Sequence, residues 1–229
     1  MASNNPNKPN NPTTKLKSIR PVYWGAGIIL ILILLSGPLM TKAGDFLAPV
    51  GKQRADVIIL EGTATIKNGA VEEGVSLWKQ NDLARLAVVL HLHEKAGQLF
   101  AIQDEYPQLL LKKLRTLGLK EDHLRIFSVP INDHPITLTE ARFVMAALAR
   151  ERIGSAVLVS EGFHTRRSWS VYRQEGERFG ITVVPHPCFI SYKKEDWWRQ
   201  KEGIRDFVQE AAKLIYYFAL GYVSPKHIF

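Results

Sequence analysis

Short apolar runs and amphipathic segments alternate along the chain from residue 55 onward. Apolar runs rich in β-forming residues occur at 57–60, 86–92, 124–129, 156–160 and 181–184. Segments with helical periodicity lie between them, at about 70–80, 104–117, 137–150 and 165–175. Such alternation predicts βαβ units, and near-continuous apolar runs are typical of parallel strands buried on both faces. The pattern therefore predicts a Rossmann-like α/β domain in three layers, with a mainly parallel sheet between its helices.

A long amphipathic segment, at about 195–220, closes this pattern. It begins with Trp197 and Trp198, which as neighbours on a helix would point about 100° apart. Apolar residues then recur at helical spacing, at Ile204, Phe207, Val208, Ala211, Leu214, Ile215 and Phe218. A stripe of this kind predicts the helix face that packs on the core.

The N-terminal 40 residues follow a different pattern. Residues 1–21 are polar and of low complexity, with basic but no acidic residues, which is typical of a disordered tail. Residues 22–40 are uncharged and apolar, just long enough to cross a hydrocarbon core of about 30 Å. The positive-inside rule places the basic tail in the cytoplasm. We therefore expect a single-pass protein of the plasma (inner) membrane, with its folded domain on the extracytoplasmic, periplasmic side.

These patterns predict a basic tail at 1–21, a transmembrane helix at 22–40, a linker at 41–54, an α/β domain at 55–222 and a C-terminal tail at 223–229. The apolar run has two other interpretations. It could be a cleaved signal peptide ending near Ala43, although its basic region is long and its apolar run exceeds a typical signal-peptide core. It could also be a buried core helix, but it shows no polar face.

Charge and cysteine content exclude several classes of protein. The formal net charge is +8, and half of this excess comes from four basic residues in the tail. Nucleic acid is therefore not an expected partner, because its recognition needs a basic surface on the folded part. Cys188 is the only cysteine, which rules out an intramolecular disulfide and a Cys-rich zinc site. No sequence feature identifies a cofactor or a protein partner.

The richest group of polar residues follows the predicted strand at 156–160. Ligands of parallel sheets bind at the carboxyl ends of the strands, where Ser160, His164 and Arg167 are expected to lie. His164 could transfer a proton near neutral pH, and Arg167 could hold a phosphate or carboxylate through two hydrogen bonds. The alternative is a helix capped by Thr165 with exposed arginines.

The loops after the first two strands carry weaker signals. Gly62 and Thr63 could bring backbone N–H groups toward an anion, but a plain tight turn is favoured, because neither a G-x-G-x-x-G motif nor a P-loop is present. His91 and His93 would face the same side of a strand and could reach one metal ion. One half-buried and one loop histidine is the simpler interpretation, so no metal site is assigned.

Acidic and hydroxyl residues open two of the predicted helices. Glu105 lies at the start of one, where a carboxylate suits the helix dipole regardless of function. Thr139 and Glu140 lie at the start of another. Thr137 and Glu140 have the spacing of a capping box, and the box alone would explain both residues.

Taken in chain order, these segments resemble the ElyC/SanA/YdcF family, a bacterial domain of unknown function. The matching segments are ADVIIL, DEYPQLLLKKLRTLGL, ITLTEAR, VLVSEGFHTRRS, ITVVPHP and KLIYYFALGY. The resemblance covers about residues 56–222. Its sharpest element is a strand followed by Ser-x-x-x-His-x-x-Arg, here Ser160, His164 and Arg167.

The resemblance implies a Rossmann-like fold, one N-terminal span with a periplasmic domain, and a role in envelope integrity and in peptidoglycan or surface-polysaccharide biogenesis. The residues that it implies in function are Glu105, Thr139, Glu140, Ser160, His164 and Arg167. Many members have Gly-rich turns after the first two strands, where this chain has LEGT at 60–63 and LHLH at 90–93. These departures weaken an anion-binding role for those two loops.

The leading hypothesis is an envelope enzyme, or enzyme-like domain, that acts on an anionic or phosphate-bearing metabolite such as a lipid-linked glycan precursor. His164 would transfer a proton, and Glu105 or Glu140 would orient it. The residues expected to bind the substrate are Ser160, Arg167, Thr139, Gly62 and Thr63. A non-catalytic binding or regulatory module is the second hypothesis, and a cytoplasmic nucleotide-binding domain, which needs the inverted topology, is the third.

Overall fold

The five β-rich runs form one sheet in which every strand pairing is parallel. The computed structural model describes residues 37–52, 54–62, 68–81, 84–92, 101–130 and 134–229, with the backbone alone for 92 and 101–106. The strands are β1 (Val57–Leu60), β2 (Arg85–Leu92), β3 (Leu124–Pro130), β4 (Ser155–Glu161) and β5 (Thr182–Cys188). Their order in the sheet is β3-β2-β1-β4-β5. The prediction of an α/β domain with a parallel sheet is confirmed.

Helices cover both faces of this sheet. They are α1 (37–47), α2 (Asn68–Lys79), α3 (Ala101–Thr116), α4 (Ile136–Arg150), α5 (His164–Glu177), α6 (Lys201–Ala219) and the short α7 (Pro225–Ile228). Strand residues Ile58 and Ile59 point to opposite faces, and each contributes to a separate apolar cluster. One cluster contains buried residues of α2 and α3, and the other contains buried residues of α4, α5 and α6. The continuous apolar runs of β1 and β4 therefore form strands because both faces of these two strands are covered, whereas β3 is exposed on one face.

The long amphipathic segment near the C-terminus is two elements. A 3₁₀ helix, Lys194–Arg199, ends before Gln200, whose extended backbone separates it from α6. Gly203 lies so close to this break that a side chain there would place its Cβ 2.4 Å from the carbonyl oxygen of Trp197. Only glycine allows this approach, so it fixes the angle at which α6 leaves the 3₁₀ helix.

The buried face of α6 differs from the predicted one. Its inward residues are Gly203, Phe207, Glu210, Leu214 and Tyr217, of which Phe207 is half-buried. In contrast, four members of the predicted core stripe are exposed, namely Ile204 (45%), Val208 (60%), Ile215 (67%) and Phe218 (49%). The prediction was wrong for these four because two stripes of the same spacing run side by side, and the inward one carries a carboxylate and a glycine.

Strand β5 lies at an edge of the sheet and contains two prolines. The sequence prediction ended this strand at 184, but it continues to Cys188. The backbone N and C=O groups of Pro185 and Pro187 face away from β4. These positions therefore need no N–H group to hydrogen-bond with a neighbouring strand. The outward carbonyl of Pro185 accepts a hydrogen bond from the N–H of Gly51 at 2.8 Å. The outward carbonyl of Val183 accepts one from the Trp169 indole, also at 2.8 Å.

The region around the predicted anchor is described only from residue 37. Most of the predicted span, 22–36, lies outside the described residues. None of the helices within the described ranges combines the length and apolar character that crossing a bilayer requires. Residues 40–229 form one compact unit. It includes part of the predicted linker, where Leu47 and Ala48 are buried, and part of the predicted C-terminal tail, where Ile228 is buried.

Candidate functional site

The polar residues of the site gather where β1 and β4 end. The chain runs from β1 to β2 and β3 on one side, then crosses to β4 on the other side of β1. This change of direction is the topological switch point, where open α/β sheets bind ligands. Glu61 follows β1, and Ser160 is the second-last residue of the neighbouring strand β4, so their side chains meet at this point.

Glu61 is a buried carboxylate at the centre of the site, with 5% of its surface exposed. It accepts hydrogen bonds from the hydroxyls of Ser160 and Ser168, and the Nε2 of His164 lies 3.0 Å from its Oε1. Burial alone would raise the pKa of Glu61, but the charge of His164 and the three hydrogen bonds hold the pKa below its ordinary value. Glu61 is therefore ionised at neutral pH.

His164 lies between two carboxylates at the N-terminus of α5. Its Nε2 faces Glu61, and its Nδ1 lies 3.1 Å from Oε2 of Glu210 on α6. Burial and the charge of Arg167 act to lower the pKa of His164, but the two carboxylates outweigh them and raise this pKa to about 9. The imidazolium is therefore the resting form at neutral pH, with 20% of the side chain open to solvent.

Arg167 is buried behind His164. Its Nε donates to Oε2 of Glu210 at 2.9 Å, and its Nη1 donates to Oγ1 of Thr137 at 2.9 Å. Its guanidinium also lies 4.9 Å from the centre of the Tyr217 ring. The sequence analysis assigned Arg167 to anion binding, but the structure directs its donors at groups of the protein. In the structure these donors hold Glu210 and contact the ring of His164.

The Nδ1 of His164 has two neighbours that need different protonation states. Nη2 of Arg167 lies 2.6 Å away and can donate only to an unprotonated Nδ1, whereas Glu210 at 3.1 Å can accept only from a protonated one. The Arg167 contact therefore fits a neutral ring and the Glu210 contact a charged one, and the two flanking carboxylates favour the charged ring. Protonation of Nδ1 would favour the Glu210 contact, and loss of that proton would favour the Arg167 contact.

Glu140 forms a second buried network next to the first. Its Oε1 accepts hydrogen bonds from the N–H of Gly62 at 3.0 Å and from the hydroxyl of Tyr172 at 2.5 Å, and its Oε2 lies 2.7 Å from Nε2 of His91. Burial raises the pKa of Glu140, and the charge of Glu61 raises it further, against the hydrogen bond from His91. The N–H of Gly62 is thus occupied within the protein.

Both capping interpretations of the sequence are wrong. Pro135 is the N-cap of α4 and makes no side-chain cap, so Thr137 and Glu140 do not form a capping box. Phe163 is the N-cap of α5, and the Thr165 hydroxyl donates backward to the carbonyl of Gly162 at 2.7 Å. Thr137 and Glu140 are instead used in tertiary contacts with Arg167, Gly62 and Tyr172, whereas the hydrogen bond of Thr165 is local.

A cleft of about 290 Å³ opens beside His164. Residues from the β4–α5 loop, the segment after β5 and one face of α6 line it. Its charged lining residues are Glu161, His164, Arg205, Asp206, Glu210 and Lys213. Its apolar wall includes Phe189, Ile190 and Tyr192. The cleft therefore combines three cationic side chains, three carboxylates and an apolar surface.

The predicted site residues fall into four groups. His164 lines the cleft, while Ser160, Arg167 and Glu140 are buried behind it in the two networks. Thr139 is half-buried on α4 and does not line the cleft. Thr63, His93 and the side chain of Glu105 lie outside the described residues. Among the residues that are described, no three His, Cys, Asp or Glu side chains are arranged to hold a metal ion.

Sequence reasoning missed the two carboxylates that flank His164. Glu61 was taken as part of a tight turn, although a carboxylate directly after a four-residue apolar strand is a signal for a buried polar site. Glu210 was overlooked because it lies on an amphipathic helix, where charged residues usually face water. Its spacing from Phe207 and Leu214 places it on their face, which is the signal that could have found it.

Comparisons with known proteins add no functional assignment. No family model matches the chain, and no curated protein matches it. Among solved structures, a universal stress protein family member from Burkholderia pseudomallei aligns with 60% of this chain and 99% of its own, at 16% identity and a TM-score of 0.36. A universal stress protein in complex with cAMP aligns with 58% of this chain and 97% of its own, at 12% identity and a TM-score of 0.36.

The U34-tRNA thiolase NcsA from Methanococcus maripaludis also aligns, over 76% of this chain and 64% of its own, at 9% identity and a TM-score of 0.36. At this level of similarity, the ligands named for these proteins say nothing about the cleft beside His164.

Proposed function

We propose that the protein is a membrane-anchored envelope protein of the ElyC/SanA/YdcF type whose cleft binds the anionic group of a phosphate-bearing cell-envelope metabolite. The observation that carries the proposal is the position of His164. Its ring lies at the switch point of the sheet and lines a cleft, between two buried carboxylates that keep it protonated. An imidazolium held in this way is a proton donor with a fixed direction.

The cations of the cleft support an anionic ligand. Lys213 pairs with Glu210 at 2.7 Å, and Arg205 pairs with Asp206 at 3.2 Å. Both cationic side chains are more than half exposed, at 52% for Lys213 and 62% for Arg205, so neither is held by burial. They can turn toward a phosphate without leaving a buried carboxylate unpaired, because Glu210 keeps its contact with Arg167.

A proton-transfer role follows from the same geometry. When a phosphate group binds beside His164, the ring can donate a hydrogen bond or a proton to a ligand oxygen. Glu61 would hold the ring through Nε2. If the Nδ1 proton passed to the ligand oxygen, Arg167 would then donate to the unprotonated Nδ1 in place of the contact with Glu210. Within the described residues, His164 is the predicted catalytic residue that borders the cleft. In the proposal, Glu61 and Glu210 take the orienting role that the sequence analysis gave to Glu105 or Glu140.

Binding without turnover is the second candidate function, and one observation favours it. The hydroxyls of Ser160 and Ser168 both donate to Glu61, so within the described residues neither serine is paired with His164 as a nucleophile would be. The two functions can be separated by incubating the full-length protein with a bound diphosphate and analysing whether inorganic phosphate is released.

The binding step is tested by calorimetry on the full-length chain in detergent. The probes are inorganic pyrophosphate and a polyprenyl diphosphate. We expect His164→Gln to weaken binding about ten-fold or more, because a charge-assisted hydrogen bond is lost. Lys213→Met should weaken binding as well. Lys226→Met is the matched control, since Lys226 pairs with Glu177 away from the cleft.

Equal binding by the wild type and His164→Gln would contradict the proposal, as would no binding of either probe by the wild type. Topology is tested separately with a reporter enzyme that is active only outside the cytoplasm, fused after Phe229. An inactive reporter on a stably expressed fusion would contradict the periplasmic location and would favour the inverted topology.

A further inference from the structure

Helix α6 carries a continuous apolar strip on a face that does not pack on the core. The strip consists of Ile204, Val208, Ala211, Ile215 and Phe218, and all except the half-buried Ala211 are 45% or more exposed. The spacing of four, three, four and three residues keeps these side chains in line along the helix. At 1.5 Å per residue, the strip is about 21 Å long.

Exposed apolar surface continues at the C-terminal end of this strip. Tyr216 and Leu220 are 54% and 52% exposed. Single exposed apolar residues are common in soluble proteins, but a contiguous apolar surface of this length marks a contact with a partner or a lipid surface.

The cleft lies on a different side of the same helix. Asp206, Gln209 and Lys213 line the cleft, whereas the strip residues do not. Helix α6 therefore presents three faces: one to the core, a polar one to the cleft, and an apolar one to the surroundings. A polar face that includes Lys and Arg beside an apolar face with Ile and Phe is typical of helices that lie in a membrane interface.

The strip lies next to the point where the predicted span reaches the folded domain. The carbonyl of Met40, the last residue of that predicted span, accepts a hydrogen bond from the indole of Trp197 at 3.1 Å. The Trp197 ring stacks on Phe207 of α6, with ring centres 4.1 Å apart. On the helix surface Phe207 is a neighbour of Ile204 and Ala211, which lie three and four residues away.

We propose that the apolar strip of α6 lies in the lipid headgroup region of the membrane. The proposal rests on the anchor proposed above, but it does not depend on the chemistry at His164. It deepens the proposed function in one respect. A domain seated on this strip holds the cleft at the membrane surface, where the anionic group of a lipid-linked metabolite is found.

The test is fluorescence quenching in vesicles of phosphatidylcholine and phosphatidylglycerol that contain a fraction of spin-labelled lipid. In a Cys188→Ala background of the full-length chain, a fluorophore is attached at Val208→Cys or Ile215→Cys. Gln209→Cys is the matched control, since it lies on the same helix but lines the cleft. We expect about three-fold stronger quenching at 208 and 215 than at 209, because the strip would reach the headgroup and acyl boundary.

Equal quenching at the three positions, or no quenching at 208 and 215, overturns the proposal. Copies of the protein could instead cross-link through Val208→Cys, and lose this cross-link when the protein is diluted in the membrane. This result would show that a second copy covers the strip, and it would also overturn the proposal. Flotation of the unlabelled chain with the vesicles reports the anchor separately. A chain that does not float overturns the anchor and the strip together, whereas a floating chain without quenching at the strip overturns the strip alone.

Discussion

Replacing His164 by glutamine should destabilise the protein by an amount that depends on pH. The wild-type ring lies between Glu61 and Glu210, which raise its pKa from 6.5 to about 9 in the folded state. Each pKa unit corresponds to 1.36 kcal/mol, so the charged ring contributes about 3 kcal/mol to the free energy of unfolding. Glutamine cannot carry this charge, so the variant lacks the contribution.

The sign of the pH dependence follows from the two pKa values. Below pH 6.5, both the folded and the unfolded chain hold the proton, and the full stabilisation is present. Between pH 6.5 and about 9, the folded protein holds a proton that the unfolded chain has released, so the stabilisation falls as pH rises. Above that range the ring is neutral in both states, and the contribution is lost.

The measurement is urea unfolding of the full-length chain in detergent at pH 6 and pH 10, followed by tryptophan fluorescence. We expect the stability difference between wild type and His164→Gln to shrink by about 3 kcal/mol from pH 6 to pH 10. NMR titration of the ring should give a midpoint near 9 in the wild type. Glu61→Gln should lower this midpoint, whereas Glu121→Gln, at an exposed residue paired with Arg115, should leave it in place.

Two results would refute this reasoning. One is a His164 midpoint at or below 6.5, which would mean that the two carboxylates do not hold the charged ring. The other is a stability difference between wild type and variant that stays constant from pH 6 to pH 10.

Three further substitutions test the packing around the site by urea unfolding. Tyr172→Phe should cost about 1–3 kcal/mol, because the buried Glu140 loses a hydrogen-bond donor; an unchanged midpoint would contradict this. Gly74→Ala should cost about 1–3 kcal/mol, since the new Cβ would lie 2.3 Å from a methyl carbon of Leu60; a neutral effect would show that Leu60 can move. Asp56→Asn should cost about 1–2 kcal/mol, because the carboxylate accepts two backbone N–H bonds at the start of β4; equal stability would exclude this.

The places of the strands along the chain could be predicted from the sequence because each strand contains a run rich in apolar, β-forming residues. VIIL of β1 and AVLVS of β4 are buried on both faces, so no alternation was needed to recognise them. The extent of β5 could not be predicted in the same way. Its last four residues contain two prolines, and prolines are compatible with a strand only at the edge of a sheet. Whether a strand lies at an edge depends on the order of strands in the sheet and cannot be read from its own residues.

Only those site residues could be predicted whose place in the sequence also fixes their place at the edge of the sheet. The carboxyl ends of β1 and β4 meet in any fold of this type, so His164 and Ser160 were found. Glu210 comes from a helix 46 residues after His164, and its contact with the ring depends on how α6 packs. Helix α6 has two stripes of equal spacing, and hydrophobicity alone favours the more apolar one as buried, so both Glu210 and the exposed strip were missed.

The two prolines of β5 also bear on how the protein behaves when many copies are crowded together. A bare edge strand offers a row of donors and acceptors to which another chain can add as a further strand, the first step toward aggregates. On β5 the outward nitrogens of Pro185 and Pro187 have no hydrogen to donate, and the outward carbonyls of Val183 and Pro185 are already occupied. This border of the sheet thus offers few groups for strand addition, and growth by this route is expected to start at β3.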